Sequence, residues 1–265
     1  MMLNYKERSA LIMGKIISFA NQKGGVGKTT SAVNVAASLG LLGSKVLLID
    51  LDPQGNATSG VGIVKKGLKG TLRELLTGDC TAQDVVVETE FTNLWTIPSN
   101  TSLAGAEFDL FDFEESEYRL KTVLEPLKSE FDYIILDCPP SLGMLTVNAL
   151  SASDGIVVPM QCEFYSLEGL SQLMITIKRI KRLYNEDLSV TGILVTMYNG
   201  RLLLSMQVLN ELKKHYEDKL FSTEISRNVK LSEAPSFGRP VYYHDKKSKG
   251  SLEYLAVAKE LKERI

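Results

Sequence analysis

The sequence predicts a single doubly wound α/β domain, with a mostly parallel twisted sheet and helices on both faces. Three observations point there. Short β-rich apolar runs alternate with longer segments of helical period. The runs are apolar at consecutive positions, as in strands covered on both faces. The chain has 265 residues, 44% of them hydrophobic and 23% charged, so it can bury a sizeable core without staples.

Lys15–Asn21 (KIISFAN) reads as the first strand. Thr29–Leu42 follows as a helix with Val33, Ala36, Ala37 and Leu41 on one face. Lys45–Asp50 is a second strand, Thr71–Thr77 a short helix and Leu94–Pro98 another strand. Ser116–Ser129 reads as a helix bent near Pro126, since proline removes an N–H and crowds the preceding turn. Tyr133–Asp137 (YIILD) is a central strand, Leu142–Ser151 a helix and Gly155–Met160 a strand. Ser166–Tyr184 is a long helix, Val190–Met197 a strand, Leu203–Tyr216 a helix and Leu220–Ile225 a strand. Ser248–Arg264 closes the pattern as a helix, with Leu252, Leu255, Ala258, Leu261 and Ile265 expected to face the core. With no repeat and no low-complexity linker, residues 15–265 read as one domain. Residues 1–14 read as a flexible N-terminal extension. The acidic stretch Glu107–Glu117 reads as a solvated loop.

Net charge is −2, which excludes a polycation. Residues 201–265 nevertheless hold 13 basic and 9 acidic residues against 17 and 23 elsewhere, so a polyanion-binding face would lie in the last quarter. Cys80, Cys138 and Cys162 form no C-x-x-C pair, which argues against a zinc ribbon or a redox dithiol. No apolar run is long enough for a membrane span and Met1–Ala10 is mostly polar, so a cytoplasmic location is expected.

The chemistry concentrates at strand ends. Between the first strand and first helix lies Asn21-Gln22-Lys23-Gly24-Gly25-Val26-Gly27-Lys28-Thr29-Thr30. Glycines there let backbone N–H groups turn inward on an anion, and the helix N-terminus adds partial positive charge. Lys28 would reach the β- and γ-phosphates and Thr29 would bind Mg²⁺. The template G-x-x-x-x-G-K-[ST] fails at one place, because Gln22 stands where the first glycine belongs, while Lys23 supplies a second cation. Asp50 and Asp52 end the second strand, with Leu51 alternating away, so both can face this site. A carboxylate there can orient a water and take its proton. Asp137, after four apolar residues, has the arrangement that holds Mg²⁺ through water.

K-G-G-x-G-K-T-T resembles the deviant phosphate loop of the ParA/MinD group of P-loop ATPases. Asp50–Asn56 and Asp137–Pro140 resemble that group's DxDPQxN and DxPP motifs. Gln161–Gly169 (QCEFYSLEG) and Arg227–Gly238 (RNVKLSEAPSFG) resemble the chromosomal ParA (Soj) branch. The resemblance covers nearly all of residues 15–265. It implies a Mg²⁺-dependent ATPase, slow and partner-stimulated, that forms an ATP-sandwich homodimer. Lys23 would then contact the phosphates bound by the partner subunit. Gly24 to Thr30, Val26 included, would cradle ATP, Asp52 would position the attacking water, and Asp50 would serve the metal's outer shell or loop geometry. Ser226 and Asn228 would belong to the adenine pocket, although the family has proline where Ser226 stands. Arg201 and Lys230 match positions that bind DNA without sequence preference, the second as Lys for Arg. The implied setting is chromosome or plasmid partition on the nucleoid with a ParB-like partner. Two other readings stay open: a MinD-like positioning ATPase that reaches membranes through its last helix, and a nucleotide-gated regulator of a replication initiator.

Overall fold

A computed structural model describes residues 13–265. The predicted extension at 1–14 falls mainly outside them, while the Gly14 N–H donates to the Lys128 carbonyl at 2.7 Å. One seven-stranded sheet forms the centre, in the order β3-β4-β2-β5-β1-β6-β7. Its strands are β1 (Lys15–Phe19), β2 (Val46–Asp50), β3 (Val87–Glu88), β4 (Leu94–Ile97), β5 (Tyr133–Asp137), β6 (Gly155–Gln161) and β7 (Ser189–Thr196). All pairs are parallel except β3 with β4.

Alternate residues of the strands supply two cores. Ile16, Leu47, Ile49 and Ile134 pack under the helices Met144–Ala152 and Ser166–Leu183 on one face. Ile17, Val46, Leu48 and Ile135 pack on the other face, under Lys28–Leu41 and Lys249–Arg264. Continuous apolar strands are therefore a consequence of two-sided burial. β1 sits where strand order reverses, between β5 on one side and β6 on the other, which opens the crevice used by ligands in such folds.

Most predicted elements appear within a residue or two. The segment around Pro126 is split as expected, with helix Arg119–Leu124 giving way to a tighter turn over Glu125–Ser129. Thr71 caps the helix Leu72–Thr77 through a reciprocal pair with Glu74.

Three expectations are corrected. Leu220–Ile225 is not a continuous strand: it meets β7 through a bridge at Leu220 and through the N–H groups of Phe221 and Ile225, which donate to the Ile193 and Val195 carbonyls at 3.0 and 2.8 Å, with a second bridge between Tyr198 and Ser226. Phe221 and Ile225 are four residues apart but bond to residues two apart on β7, so the chain bulges between them, where Glu260 accepts from both the backbone N–H and the hydroxyl of Ser222. The acidic stretch is not a free loop, because Leu103–Asp109 is helical and Asp109 accepts two hydrogen bonds from Arg73. The last helix is rotated from the expected stripe: Tyr254, Val257, Ala258 and Leu261 are buried, whereas Leu252 and Ile265 are exposed. The buried Tyr254 hydroxyl is satisfied there by Ser31 Oγ at 3.0 Å.

Arg264 finishes the broken edge. Its guanidinium donates to the carbonyls of Thr191 (3.1 Å), Lys219 (3.2 Å) and Leu220 (2.6 Å), and it pairs with Glu260. The Lys219 carbonyl already accepts from the Ile193 N–H at 2.8 Å, so its bond to Arg264 adds less than a full charged hydrogen bond, which is worth about 1.5–3 kcal/mol. Arg264→Ala is expected to cost about 2 kcal/mol in urea unfolding, with little change in m-value.

Candidate functional site

The phosphate loop leaves β1 at Ala20 and enters its helix at Lys28. Gly25 and Gly27 hold φ of 74° and 85°, left-handed values that glycine adopts at little cost. The sheet pins the loop from behind. Asn21 Nδ2 donates to the Pro159 carbonyl (2.8 Å), Gln161 Nε2 to the Gly25 carbonyl (2.9 Å) and Thr196 Oγ1 to the Val26 carbonyl (2.8 Å). With these carbonyls engaged, the loop's N–H groups are what it has to offer an anion.

Lys28 is buried, and its ammonium donates to the Lys23 carbonyl across the loop at 3.2 Å. Burial lowers its pKa, opposed by the nearby Asp137, Cys138 and Asp52. Lys23 is exposed and behaves differently: its ammonium is paired with the Glu163 carboxylate just after β6. Sequence reasoning quoted Glu163 within a motif but gave it no role. The same holds for Gln161, whose signal was its place at a strand end beside the loop.

Parallel register explains the carboxylates. Asp137 of β5 stands opposite Phe19 of β1 and opposite Asp50 of β2, so two acids end adjacent strands at one level. Both are fully buried. Asp50 accepts from the Thr58 N–H and hydroxyl, both at 2.7 Å, and from the Asp52 N–H at 3.1 Å. Burial nevertheless pushes its pKa up to about 6. Those bonds shape the loop that follows β2, and Thr58 in turn accepts from the Ser99 N–H at 2.8 Å. Asp52 is half-buried; its Oδ1 accepts from the Gln54 N–H at 2.9 Å.

Asp137 is the exception to good hydrogen bonding. Neither of its oxygens has a well-formed partner. Burial, then the charge of Asp50, raise its pKa well above the carboxylate range, and a loose approach of the Thr29 hydroxyl offsets only part of the rise. Two orphaned carboxylate oxygens beside a hydroxyl fit a small divalent cation. Among the described residues no group of three or more His, Cys, Asp or Glu could hold a metal alone. Mg²⁺ is commonly held by one or two protein oxygens together with substrate phosphates. Cys138, next in sequence, is a buried thiol pushed up to about 12 by desolvation, not a ligand.

A cavity of about 540 Å³ opens beside the loop, bounded by Gly27, Thr30, Met197, Ser226, Asn228 and Tyr254 among others. Its size and mixed lining suit a nucleobase. Ser226 reaches it through the bridge to Tyr198, with its N–H and hydroxyl both held by Glu253 (3.0 and 3.1 Å). Asn228 caps the short helix Val229–Glu233 by accepting from the Lys230 N–H at 2.8 Å. Sequence reasoning missed Met197, a wall residue with positive φ.

Arg201 and Lys230 lie three and four residues beyond the two ends of the bridge between Tyr198 and Ser226. Arg201 is exposed and forms no ion pair among the described residues. Lys230 is tied to Glu233 at 2.7 Å, which also meets His244 at 3.3 Å.

Residues 14–190 match the AAA domain family. The sporulation initiation inhibitor protein Soj of Bacillus subtilis (strain 168) is 51% identical, over 94% of this chain and 98% of its own. The chain belongs to the ParA family of partitioning ATPases. The chromosome partitioning protein ParA of Myxococcus xanthus (strain DK1622) is 48% identical, over 97% of this chain and 91% of its own. Among solved structures, cobyrinic acid a,c-diamide synthase from Mycobacterium smegmatis with bound ADP and magnesium superposes with a TM-score of 0.82. It is 37% identical and covers 93% of both chains. The phosphate loop, the turn after β2 and the acid ending β5 lie on one sheet edge.

Proposed function

We propose that this ParA-family ATPase works as an ATP-sandwiched homodimer in chromosome or plasmid partition. ATP brings its triphosphate to Gly24–Thr30 and its base to the cavity at Ser226 and Asn228. The observation that carries the reading is Asp137, buried with two unpartnered oxygens directly beside Lys28 and Thr29. Thr29 and, through water, Asp137 would hold Mg²⁺, which would neutralise charge on the phosphate oxygens.

The chain's own residues do the rest. Lys28 stabilises negative charge that grows on the transferring phosphoryl group, inside a buried setting where one cation counts heavily. Asp52 orients water for in-line attack and accepts its proton. Asp50, saturated by Thr58 and Asp52, fixes the direction in which Asp52 leaves the strand. Lys23 stands outside its own pocket, exposed and paired with Glu163, which suits a cation destined for the second subunit's phosphates.

Arg201 and Lys230 give the dimer a doubled basic edge for DNA phosphates, with Glu233 moderating Lys230 in the free protein. A ParB-like protein would accelerate turnover and end the DNA-bound state on the nucleoid. The rival in which the last helix anchors to membranes loses support from its packing, since its apolar residues Tyr254, Val257 and Leu261 are spent on the core.

DNA retention measured with ATP, ADP and no nucleotide, beside light-scattering mass, tests the proposal. Dimers that retain DNA only with ATP, with log affinity falling linearly against log salt, are expected. Arg201→Ala should weaken retention and, because the dimer loses two such contacts, lower the salt slope by about two. A monomer in ATP, or retention indifferent to salt, would sink the reading.

A further inference from the structure

The segment that carries Asp52 is strapped down by a lysine from outside every motif discussed above. Lys65 lies in the loop after the helix Asn56–Gly60 and is half-buried. Its ammonium donates to the carbonyl of Gln54 at 2.7 Å. Its stem runs over Gly55, where a Cβ would stand 2.6 Å from Lys65 Cδ and 2.8 Å from the Ser99 carbonyl oxygen. Gly55 has φ of 63° and no room for a side chain on that side. The turn Asp52–Gly55 is therefore held from two directions. Ser99 Oγ donates to the Asp52 carbonyl at 3.0 Å, and Lys65 holds the Gln54 carbonyl two residues on.

These anchors act on a short lever. Asp52 Oδ1 accepts from the Gln54 N–H and the Asp52 carbonyl from the Gly55 N–H, both at 2.9 Å, so the peptides on either side of Gln54 and the carboxylate of Asp52 belong to one closed turn. Asp50 fixes the strand side of that turn and Lys65 fixes the far side. Without Lys65, the Gln54 carbonyl turns to water, and the Gly55 backbone, with wide conformational freedom of its own, no longer has a stem lying on it. The Asp52 carboxylate then samples orientations away from an attacking water.

We infer that Lys65 is a positioning residue for hydrolysis, acting through the Gln54 carbonyl to hold the Asp52 turn in its water-orienting geometry. The inference rests on the reading of Asp52 given above. Lys65 touches neither Lys28 nor Asp137 and lies away from the nucleobase cavity, so ATP binding should not need it.

The test is single-turnover ATP hydrolysis and ATP affinity on the full chain, for wild type, Lys65→Met, Lys65→Arg and Asp52→Ala. Lys65→Met keeps the stem over Gly55 and removes only the donor. Its hydrolysis rate is expected to fall on the order of 10-fold, as misplacement of a catalytic group does, with ATP affinity within about twofold of wild type. Lys65→Arg, which still has donors for the Gln54 carbonyl, should recover most of the rate. Thermal unfolding of the nucleotide-free variants reports whether they fold; equal midpoints with a slowed rate support positioning rather than folding. A Lys65→Met rate equal to wild type while Asp52→Ala is inactive overturns the inference alone. An Asp52→Ala variant as fast as wild type overturns the reading of Asp52 and the inference together. A loss confined to ATP affinity, with the bound-state rate intact, also overturns it.

Discussion

Asp137→Asn should make the nucleotide-free protein more stable above pH 6 while lowering ATP hydrolysis by about 10²-fold or more. The two effects share one cause. Asp137 is fully buried, neither oxygen has a good partner, and Asp50 stands opposite it on the neighbouring strand. Burial therefore holds the pKa of both acids up, Asp50 to about 6 and Asp137 well above its usual range. In the window above pH 4 the folded chain keeps protons that the unfolded chain has released. Each acid then costs nothing below pH 4 and progressively more as pH rises, for Asp50 until about 6 and for Asp137 beyond it. Removing one charge from the pair should return on the order of 1–3 kcal/mol at pH 8 and almost none at pH 4. For a domain of this size that is a rise in melting temperature of several degrees. Thermal scans at pH 4, 6 and 8 check it: a difference between variant and wild type that fails to grow with pH rules out an unpaired buried carboxylate. ATP with Mg²⁺ should then reverse the order, stabilising wild type more than the variant, because the wild-type carboxylate finally gains a counter-charge.

Lys23→Ala should reduce hydrolysis by about 10²–10³-fold while leaving the fold and the subunit's own ATP affinity nearly unchanged. Lys23 is exposed and its only ion pair among the described residues is with exposed Glu163, a contact of little worth to stability. Lys28→Ala should behave oppositely and lose ATP binding itself, since Lys28 is buried inside the loop. The decisive experiment mixes inactive chains. If Lys23 serves the partner's site and Asp52 serves its own, a mixed dimer of Lys23→Ala with Asp52→Ala has one site carrying both changes and one carrying neither. Equal mixtures should recover about a quarter of the wild-type rate, since half the dimers are mixed and each has one intact site. No recovery would place Lys23 and Asp52 in the same subunit's site, or outside catalysis.

The phosphate loop was legible in the chain because its chemistry is local: glycines, a lysine and a threonine between one strand and one helix carry the function in consecutive residues. Asp52 and Asp137 were legible for a related reason. A polar residue ending an apolar parallel strand lies at the ligand edge whatever the neighbouring strand. Other features depended on which chain segments meet. Leu220–Ile225 has a strand's composition, but Phe221 and Ile225, four residues apart, bond to Ile193 and Val195, two apart on β7, so the segment bulges out of register, and Glu260 from the last helix satisfies Ser222 within the bulge. Val87–Glu88 is too short to announce itself as the antiparallel edge of the sheet. The last helix shows more than one possible apolar stripe, and packing against the helix Lys28–Leu41 buries the one that includes Tyr254, whose hydroxyl meets Ser31.

By itself, then, the sequence determined the doubly wound fold, the nucleotide loop with its second cation, and the acids at the strand ends. Only the tertiary structure decided how those groups are held: Asp137 opposite Asp50 without partners, Lys23 against Glu163, and Lys65 across the turn of Asp52. The physical reason is range. Backbone preference and hydrophobic period are written in neighbouring residues, whereas parallel register and side-chain reach join residues from distant parts of the chain, as Lys23 and Glu163 are joined.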